Sequence, residues 1–286
     1  MKLAELYKKE KDKIRCLACS HKCLISEGKT GICGVRKNIE DKLYLLVYGK
    51  VAAMNVDPIE KKPLYHFLPG TASFSIGTVG CNFRCDFCQN FEISQISKRG
   101  TIYGKEISPE EVVKRAIQTK CKSISYTYNE PAIFIEFVRD IAKIAKKKKL
   151  KNILVTNGYF SKESFDYIKD YVDAMNIDLK SFSEKFYIKY CGGKLKPVLD
   201  TIKRAHEKGI HIELTTLVIP GLNDSEKEFE EVAKFIASVD KNIPWHISRF
   251  FPMYKMLNRE ITPLETLRKA EAIGKKYLNY VYVGNV

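Results

Sequence analysis

The chain has 286 residues, of which 45% are hydrophobic and 29% are charged. This length suits one large α/β domain with a small appendage, and the hydrophobic share is enough for a full core. No apolar stretch approaches the roughly 20 residues of a membrane-spanning helix. The charged start of the chain also lacks the apolar centre of a signal peptide, so we expect a cytoplasmic protein with no membrane partner.

The formal net charge of +15 has two interpretations. A basic protein can bind nucleic acid or another acidic partner. Alternatively, the lysines form the solvated surface of a heat-adapted protein, in which Lys and Glu are enriched. Many lysines stand on predicted exposed helix faces, as in residues 145–152, and no RNA-binding signature stands out. The second interpretation is favoured, and nucleic acid is kept as a less favoured partner.

Residues 1–70 are predicted to form a Cys-rich segment with short strands. Four of the nine cysteines lie there in a C-x2-C-x3-C-x9-C array: Cys16, Cys19, Cys23 and Cys33. Clustered cysteines in a cytosolic α/β chain indicate a metal rather than disulfides. Four thiolates suit either a tetrahedral Zn2+ ion, which is slightly preferred, or a second iron–sulfur cluster. Cys121 and Cys191 stand alone and are expected to be buried thiols.

Residues 71–286 are predicted to form a second domain in which strands and helices alternate. Strands are expected near 73–79, 122–128, 152–156, 174–178, 211–218, 244–250 and 280–284. Alternating β and α units predict a parallel sheet with right-handed crossovers. The number of units predicts an α/β fold of the partial (β/α)6 TIM type, whose chemistry lies at the C-terminal ends of the strands.

Two helix starts combine an N-cap residue, a proline and a glutamate three positions after the cap. They are Ser108-Pro109-Glu110-Glu111 and Thr262-Pro263-Leu264-Glu265. At both starts we expect the Ser or Thr side chain to accept a hydrogen bond from a backbone N–H of the first turn.

The segment CNFRCDFC directly follows the first predicted barrel strand. It places three cysteines in a C-x3-C-x2-C array: Cys81, Cys85 and Cys88. Three thiolates on one short loop can hold three irons of a cubane [4Fe–4S] cluster, so the fourth iron stays open to another ligand. Three of four zinc ligands, or three ordinary buried thiols, are the alternatives. A catalytic cluster is the favoured interpretation.

Polar residues also stand at the C-terminal ends of the later predicted strands. The segments are SYTYNEP (125–131), VTNGY (155–159), NIDLK (176–180), LVIPGLND (217–224) and WHISRF (245–250). Singly, each has a structural explanation, such as a turn at Asn157-Gly158 or a helix cap at Asp178. Because these strand ends meet at one face of a barrel, their recurrence predicts an active site there.

The cysteine loop, with Phe87 before its third cysteine, resembles the signature of radical S-adenosylmethionine (SAM) enzymes. The strand-end segments resemble the SAM-binding motifs of the pyruvate formate-lyase activating enzyme branch. TYNEP stands where that family has Gly-Gly-Glu-Pro, and it retains Glu130 while Tyr128 and Asn129 replace the glycines. LVIPGLND resembles the motif on the adenine side of SAM and retains Ile219.

This resemblance implies a role for each residue. The three cysteines would bind the cluster, and Phe87 would contact the adenine, mainly through its backbone. The SAM site would be lined by Asn129, Glu130, Thr156, Asn157, Asp178, Lys180 and Ile219. His246 is a candidate for the far side of the SAM pocket or for substrate, with a structural role as the alternative. No residue stands out as a radical relay or general base, so the catalytic residues are left unassigned.

A closer resemblance covers essentially the whole chain. The segments RCLACSHKCLISEGKTGICGVR, NVDPIEKKPLYHFLPG, SIGTVGCNFRCDFCQNFEISQ and YTYNEPAIF are similar to the radical SAM enzyme of the AmmeMemoRadiSam system. That family is named for its association with AMMECR-like and Memo-like proteins, which are therefore expected partners. Its members often continue into a tail with another Cys-x-x-Cys, whereas this chain stops at Val286. We expect either that the tail is absent or that the sequence is a fragment.

The leading functional prediction is a radical SAM enzyme with a [4Fe–4S] cluster. Reductive cleavage of SAM would give a 5′-deoxyadenosyl radical, which abstracts hydrogen from a protein or peptide. A ferredoxin or flavodoxin would supply the electron. The alternatives are an RNA-modifying radical SAM enzyme, suggested by the net charge, and a non-catalytic metal-binding interaction protein. The strand-end motifs count against the last, since a simple binding module does not need them.

Overall fold

In the computed structural model, which describes residues 1–98 and 100–286, strands alternate with helices from residue 72 onward. The first strands are β1 (Lys2–Leu3), β2 (Tyr7–Glu10), β3 (Lys13–Cys16), β4 (Leu24–Ser26), β5 (Arg36–Ile39), β6 (Lys42–Leu45), β7 (Lys50–Val51) and β8 (Ala53–Pro58). The later strands are β9 (Ala72–Gly77), β10 (Lys105–Glu106), β11 (Ser123–Tyr126), β12 (Lys151–Thr156), β13 (Ala174–Asp178), β14 (His211–Val218), β15 (Trp245–Arg249) and β16 (Val281–Gly284). The α-helices are α1 (Phe91–Ser94), α2 (Pro109–Gln118), α3 (Ile135–Lys147), α4 (Lys162–Ile168), α5 (Glu184–Phe186), α6 (Leu195–Glu207), α7 (Glu226–Val239) and α8 (Leu264–Gly274).

The main sheet has the strand order β16-β15-β14-β13-β12-β11-β9-β8. All neighbours from β9 to β16 pair in parallel, and β8 pairs antiparallel with β9. Six helices, α2, α3, α4, α6, α7 and α8, connect the seven parallel strands in turn. The predicted partial (β/α)6 barrel is therefore confirmed, and every predicted barrel strand overlaps an observed one. Since β8 and β16 are not paired with each other, the barrel is open along one side.

The connection from β8 to β9, residues 59–70, closes the amino-terminal end of the barrel interior. Glu213 on β14 accepts hydrogen bonds from the backbone N–H groups of Tyr65 and His66, at 3.0 and 2.8 Å. Asn176 on β13 donates from Nδ2 to the carbonyl of Pro63, at 2.8 Å. A small apolar cluster of Ile59, Leu64, Ile153 and Ala174 completes this floor. The barrel is therefore open at the C-terminal ends of its parallel strands.

The first forty-five residues form two small antiparallel sheets, ordered β1-β6-β5 and β2-β3-β4. A buried ion pair joins them to the barrel, because the Arg36 guanidinium on β5 forms two hydrogen bonds with the Glu136 carboxylate on α3. Arg36 Nε also donates to the carbonyl of Ile133, at 2.9 Å. The predicted boundary at residue 70 stays a prediction, and β8, which precedes it, is part of the barrel sheet.

One of the two predicted helix caps is confirmed. Ser108 Oγ accepts a hydrogen bond from the N–H of Glu111, at 3.2 Å, and so caps α2. The prediction for Thr262 is wrong, since α8 has no side-chain cap hydrogen bond. Thr262 Oγ1 instead donates to the carbonyl of Val218 and accepts from the N–H of Phe250, at 2.6 and 3.0 Å. Buried backbone groups at the ends of β14 and β15 need a partner more than a solvated helix end does.

Candidate active site

The loop after β9 carries Cys81, Cys85 and Cys88 at the open end of the barrel. The Asn129 side chain shapes the start of this loop, because its Nδ2 donates to Thr78 Oγ1 and to the carbonyl of Gly80, at 3.0 and 2.9 Å. Its Oδ1 also accepts from the N–H of Thr78, at 3.3 Å. Asn129 was predicted in the SAM site, and in the structure its side chain supports the cysteine loop.

The three thiols of this loop are removed from water. Cys81 and Cys85 are buried and Cys88 is half-buried. Burial raises the pKa of Cys81 and of Cys88, and the neighbouring Cys191 thiol together with burial raises the pKa of Cys85. Without a metal the loop therefore holds neutral thiols. A bound metal would displace their protons, which is how metal loading and thiol ionisation are coupled.

A short π-helix, Tyr187–Cys191, and the two glycines after it support the same loop from the side. The N–H groups of Arg84 and Asp86 donate to the carbonyls of Cys191 and Tyr190, at 2.8 and 3.0 Å. A Cβ on Gly193 would lie 2.3 Å from Phe83 Cε1, so a larger residue would force the Phe83 ring or the loop to move. We predicted a plain buried thiol at Cys191; it is fully buried, and it lies beside the loop. In the sequence, the pair Gly192-Gly193 was the feature that could have predicted this close contact with the Cys81 loop.

Glu130 lies buried at the centre of a cradle of hydrogen-bond donors. Its carboxylate accepts from Thr156 Oγ1 at 2.8 Å, from the N–H of Asn157 at 2.8 Å and from the N–H of Ala132 at 3.0 Å. Burial nevertheless raises the pKa of Glu130 to about 7. The structure thus brings together three of the predicted residues, Glu130, Thr156 and Asn157.

Asn157 connects this cradle to the cysteine loop. Its Nδ2 donates to Asn82 Oδ1 at 2.7 Å, and Asn82 Oδ1 lies 3.7 Å from Cys81 Sγ. Both asparagines are buried. The sequence prediction included Asn157 and missed Asn82, which carried no signal beyond its place between two cysteines of the loop.

Tyr128 occupies a position where the resembled family has glycine. The backbone conformation at this position explains why glycine is preferred there. Its φ of 70° lies in the left-handed region, which costs a non-glycine residue about 1–3 kcal/mol. The side chain offers some compensation, since Oη donates to Asp57 Oδ2 at 2.9 Å and accepts from Asn55 Nδ2 at 3.1 Å. Lys62 Nζ lies 5.2 Å from the centre of the Tyr128 ring.

Asp178 ends β13 and Lys180 follows the strand, both near Cys85. Lys180 Nζ donates to Asp178 Oδ2 at 2.7 Å and lies 5.8 Å from the centre of the Phe87 ring. Although burial opposes it, the negative charge of Asp178 raises the pKa of Lys180, so the ammonium stays charged. The structure therefore places Lys180 next to both Asp178 and Phe87, and their role in a SAM site stays a prediction.

Ile219 and His246 have different surroundings. Ile219 is buried just after β14, and its N–H donates to Asn223 Oδ1 at 2.7 Å. His246 Nε2 is hydrogen-bonded to Glu213 Oε2 at 2.7 Å, and the His246 ring contacts Tyr65 and Tyr282. Within residues 1–98 and 100–286, no hydrogen bond or ring contact joins His246 to the cysteine loop. These contacts place it with the floor of the barrel, which favours the structural alternative.

The four N-terminal cysteines line one small cavity beside the same loop. The cavity is also lined by His21, Arg36 and Asn82, and it has room for about one water molecule. His21 Nε2 is hydrogen-bonded to the carbonyl of Asn82 at 2.9 Å, and the N–H of Ser20 donates to the carbonyl of Tyr159 at 3.0 Å. Both cysteine groups therefore share Asn82 as a neighbour.

No group of three or more His, Cys, Asp and Glu side chains in the described part of the chain is arranged around a single metal ion. This applies to the Cys81 loop as well as to the N-terminal cysteines. Ligands of an iron–sulfur cluster bind different irons and stand further apart than ligands of one ion.

Comparison with known proteins identifies the family. The model of the radical SAM superfamily matches residues 75–236, which is more than half of the chain. The chain belongs to the radical SAM superfamily. This membership implies a [4Fe–4S] cluster and SAM, and the donor set fits them: three thiols lie on one loop next to a buried carboxylate and a charged lysine.

Relatives of this radical SAM protein include activating enzymes. An uncharacterised protein of Methanocaldococcus jannaschii is 44% identical over 289 residues, covering 100% of this chain and 86% of that protein. The pyruvate formate-lyase-activating enzyme of Clostridium pasteurianum is 25% identical over 218 residues, covering 70% of this chain and 88% of that enzyme. The crystal structure of a radical SAM methyltransferase from Sphaerobacter thermophilus has the same fold, with a TM-score of 0.58 at 15% identity over 76% of this chain and 67% of that chain.

The structure also bears on the membrane prediction. Among the described residues, no helix combines the length and the apolar character needed to cross a bilayer.

Proposed function

We propose that this radical SAM protein removes a hydrogen atom from a protein or peptide, in the manner of an activating enzyme. The observation that carries the proposal is the three-thiol loop at the open end of the barrel, next to the buried Glu130 cradle. The likeness to the activating enzyme of Clostridium pasteurianum, which covers 88% of that enzyme, supports a protein as the substrate. The edge strands β8 and β16 are not paired with each other, and the side left open there is the proposed approach for a segment of such a substrate.

When bound, the cluster and SAM supply a one-electron reductive cleavage that yields a 5′-deoxyadenosyl radical. Cys81, Cys85 and Cys88 would hold three irons of the cluster, and the fourth iron would be open to SAM. This chain's own contribution is to orient SAM, to exclude water and to hold charges in place.

Glu130 receives the SAM ammonium group in this proposal. Its carboxylate is fixed by Thr156 and Asn157, so the carboxylate does not have to reorient when the ammonium arrives. Because burial raises the pKa of Glu130 to about 7, an arriving positive charge also stabilises the ionised form.

Lys180 and Asp178 serve the carboxylate and ribose side of SAM. The Lys180 side chain is half-buried and its ammonium is already charged, so it can attract the SAM carboxylate. Asp178 Oδ2 keeps that ammonium in position at 2.7 Å. The Phe87 backbone and Ile219 border the adenine.

The partners follow from the same assignment. A small one-electron donor, such as a ferredoxin or flavodoxin, reduces the cluster. The resemblance to the AmmeMemoRadiSam enzyme makes AMMECR-like and Memo-like proteins the first candidates for substrate or partner. Cys16, Cys19, Cys23 and Cys33 bind a metal, either Zn2+ or a second iron–sulfur cluster, which is supported by their convergence on one cavity.

The proposal is tested by anaerobic reconstitution with iron and sulfide, followed by dithionite and SAM. Mass spectrometry follows 5′-deoxyadenosine in the wild type and in Cys85→Ala. We expect the product in the wild type alone. Uniformly deuterated AMMECR-like and Memo-like proteins are then added, and transfer of deuterium into 5′-deoxyadenosine identifies the substrate.

The opposing outcomes are equally clear. A well-formed cluster that binds SAM but gives no 5′-deoxyadenosine, with any candidate protein present, would count against the catalytic assignment. Deuterium transfer from a deuterated RNA and from neither protein would replace the protein substrate with a nucleic acid.

A further inference from the structure

We propose that a pocket beside the Cys81 loop is the docking site of the electron donor, and that it accepts the acidic face of a small redox protein. The pocket lies between the cysteine loop, the π-helix and the loop of residues 250–263, which joins β15 to α8. The inference rests on the proposed function, because a donor is needed only if the cluster at this loop works with SAM.

The loop of residues 250–263 is closed at its base. The N–H of Phe250 donates to Thr262 Oγ1 at 3.0 Å, and Arg249 Nε donates to the carbonyl of Thr262 at 2.8 Å. Within the loop, Met256 is buried and packs into the core of the barrel. The exposed side chains of this loop are therefore presented from a fixed base.

The same loop contacts the cysteine loop directly. The N–H of Lys255 donates to the carbonyl of Asp86 at 3.0 Å, and Lys255 Nζ lies 3.1 Å from Asp86 Oδ1. The Tyr254 ring is stacked on the Phe91 ring, with the ring centres 4.8 Å apart. Because Asp86 directly follows Cys85 in the chain, one wall of the pocket is adjacent to a cysteine assigned to the cluster.

The pocket has a volume of about 410 Å³ and an excess of positive charge. It is lined by Asp86, Tyr190, Lys255, Met256, Asn258 and Arg259. Asp86 is the acid among these residues, and it is paired with Lys255. Arg259 Nη1 donates to the carbonyl of Pro220 at 2.8 Å, and in the described part of the chain the Arg259 guanidinium has no carboxylate partner. Arg259 therefore leaves a positive charge to be matched by a ligand.

Two neighbours of the pocket extend this character. Lys189 is exposed, and its Nζ lies 5.0 Å from the centre of the Tyr190 ring, which forms one wall. Leu257 is 67% exposed and stands between Lys255 and Arg259 in the chain. Weak electron-transfer complexes bury less than about 1,200 Å². An exposed apolar side chain flanked by cations suits such a small interface with an acidic protein, since opposite charges steer the encounter.

The lining residues favour an electron donor over a substrate. Within residues 1–98 and 100–286, the pocket reaches the cysteine loop but is lined by none of the residues assigned to SAM, such as Glu130, Asp178 and Lys180. A substrate must come within reach of SAM, whereas an electron donor has to approach only the cluster. On docking, one electron leaves the reduced donor and enters the cluster, with no bond made or broken and no proton moved.

The docking site is tested with a flavodoxin of net negative charge and the reconstituted protein, without SAM. Lys189→Glu/Arg259→Glu reverses two cations of the pocket. Isothermal titration calorimetry with oxidised flavodoxin gives the Kd, and stopped-flow absorbance with reduced flavodoxin gives the bimolecular rate constant of cluster reduction. Since charge steering changes association by about 10- to 1,000-fold, we expect both to be poorer by at least about 10-fold at low salt. The difference should shrink as added salt screens the charges.

Lys147→Glu/Lys148→Glu is the matched control, because it changes the net charge equally at the C-terminal end of α3, just before β12 begins. That end of the barrel is opposite the cysteine loop, so we expect a Kd and a rate constant within about twofold of the wild type. Photoreduced 5-deazariboflavin, a small uncharged reductant that needs no docking surface, should reduce the cluster equally fast in all three proteins. If the pocket variant does not fold, Lys189→Glu/Leu257→Glu replaces it, since both side chains are exposed.

Two results would overturn the docking site. Equal losses in the pocket variant and the control would assign the effect to net charge. Unchanged flavodoxin binding in the pocket variant would also overturn it, and weaker binding of an AMMECR-like or Memo-like protein would then make the pocket a substrate site. Failure of the proposed function looks different, because flavodoxin would still reduce the cluster through the pocket while SAM gave no 5′-deoxyadenosine.

Discussion

The two cysteine groups of this protein lie side by side and differ in the number of thiols. The Cys81 loop has three, and it is held by the side chains of Asn129 and Asn157 and by backbone hydrogen bonds to Tyr190 and Cys191. The N-terminal group has four, which line one small cavity. A missing fourth ligand allows an external molecule to bind, and a complete set does not. The comparison therefore distinguishes a reactive site from an electron-carrying or structural one by ligand number.

Burial is the property that the two groups share. It raises the pKa of the cysteines in both groups, so neither group holds free thiolates in the metal-free protein. Metal loading must then release protons at either site, and it becomes more favourable as the pH rises. What separates the two groups is thus the ligand count and the neighbours of the sulfurs.

The largest expected effect comes from Cys85→Ala. Removing one of three ligands should reduce 5′-deoxyadenosine formation to background while leaving the N-terminal group intact. Mass spectrometry of the product and iron content per chain provide the measurement. Cys121→Ala is the control, because Cys121 is a buried thiol outside both groups. Activity in Cys85→Ala near that of the control would break the assignment of the loop.

The next largest effect is expected on stability, from breaking the ion pair that joins the N-terminal sheets to the barrel. Arg36→Met leaves the Glu136 carboxylate buried without its partner, which should cost about 3–5 kcal/mol of unfolding free energy. Arg36→Met/Glu136→Leu should recover part of that loss. In the exposed pair Lys196–Asp200, Lys196→Ala should change stability by about 0.5 kcal/mol or less. Urea unfolding at pH 7 measures all three.

The same pair has a defined pH dependence. Although burial opposes it, the Arg36 guanidinium holds the pKa of Glu136 below its usual value. The pair therefore contributes its full stability above the pKa of an unfolded Glu, and that contribution is lost as the pH falls through the lower folded pKa. The stability difference between wild type and Arg36→Met should shrink on acidification. A difference that grew instead would contradict the ion pair as the source of stability.

Gly193→Ala should have a smaller effect, through the side of the Cys81 loop. The new Cβ would overlap the Phe83 ring, and such overpacking costs about 1–3 kcal/mol. Iron content should fall with stability, since Phe83 lies within the cysteine loop. Gly284→Ala is the control, because a Cβ there would meet nothing within 4 Å. Equal unfolding midpoints for the two variants would show that the loop can move away from Phe83.

The smallest expected effect is the pH dependence of SAM binding. With the pKa of Glu130 raised to about 7 by burial, the carboxylate is mostly neutral at pH 6 and mostly ionised at pH 8. If Glu130 receives the SAM ammonium, the apparent Kd should be about 10-fold weaker at pH 6 than at pH 8. Equilibrium dialysis with the reconstituted, oxidised protein measures this ratio. Glu130→Gln should lose that dependence, and the same slope in both proteins would assign it to SAM itself.

Much of the barrel and part of the site were predictable from the chain alone. Alternating strand and helix patterns led to the correct partial barrel, because hydrophobic periodicity depends on local spacing. The C-x3-C-x2-C spacing led to the correct family. This was possible because the three cysteines lie on one short loop, so their pattern is visible in the sequence without knowledge of the fold. The grouping of Glu130 with Thr156 and Asn157 followed from the rule that parallel strands end at one face.

Contacts between distant segments could not be predicted in this way. Thr262 satisfies buried strand-end groups and does not cap α8, since the choice depends on which backbone groups lose water. His246 lies against Glu213 and the floor of the barrel, because residues 59–70 fold back under the strands.

By itself, the sequence determined the fold class, the family and the ligands available for metal, all of which depend on residue type and short-range spacing. Only the tertiary structure decided that the two cysteine groups adjoin and that Asn82 stands between them with an unpaired amide donor. This adjacency comes from packing between segments more than forty residues apart, and local pattern carries no information about such distances.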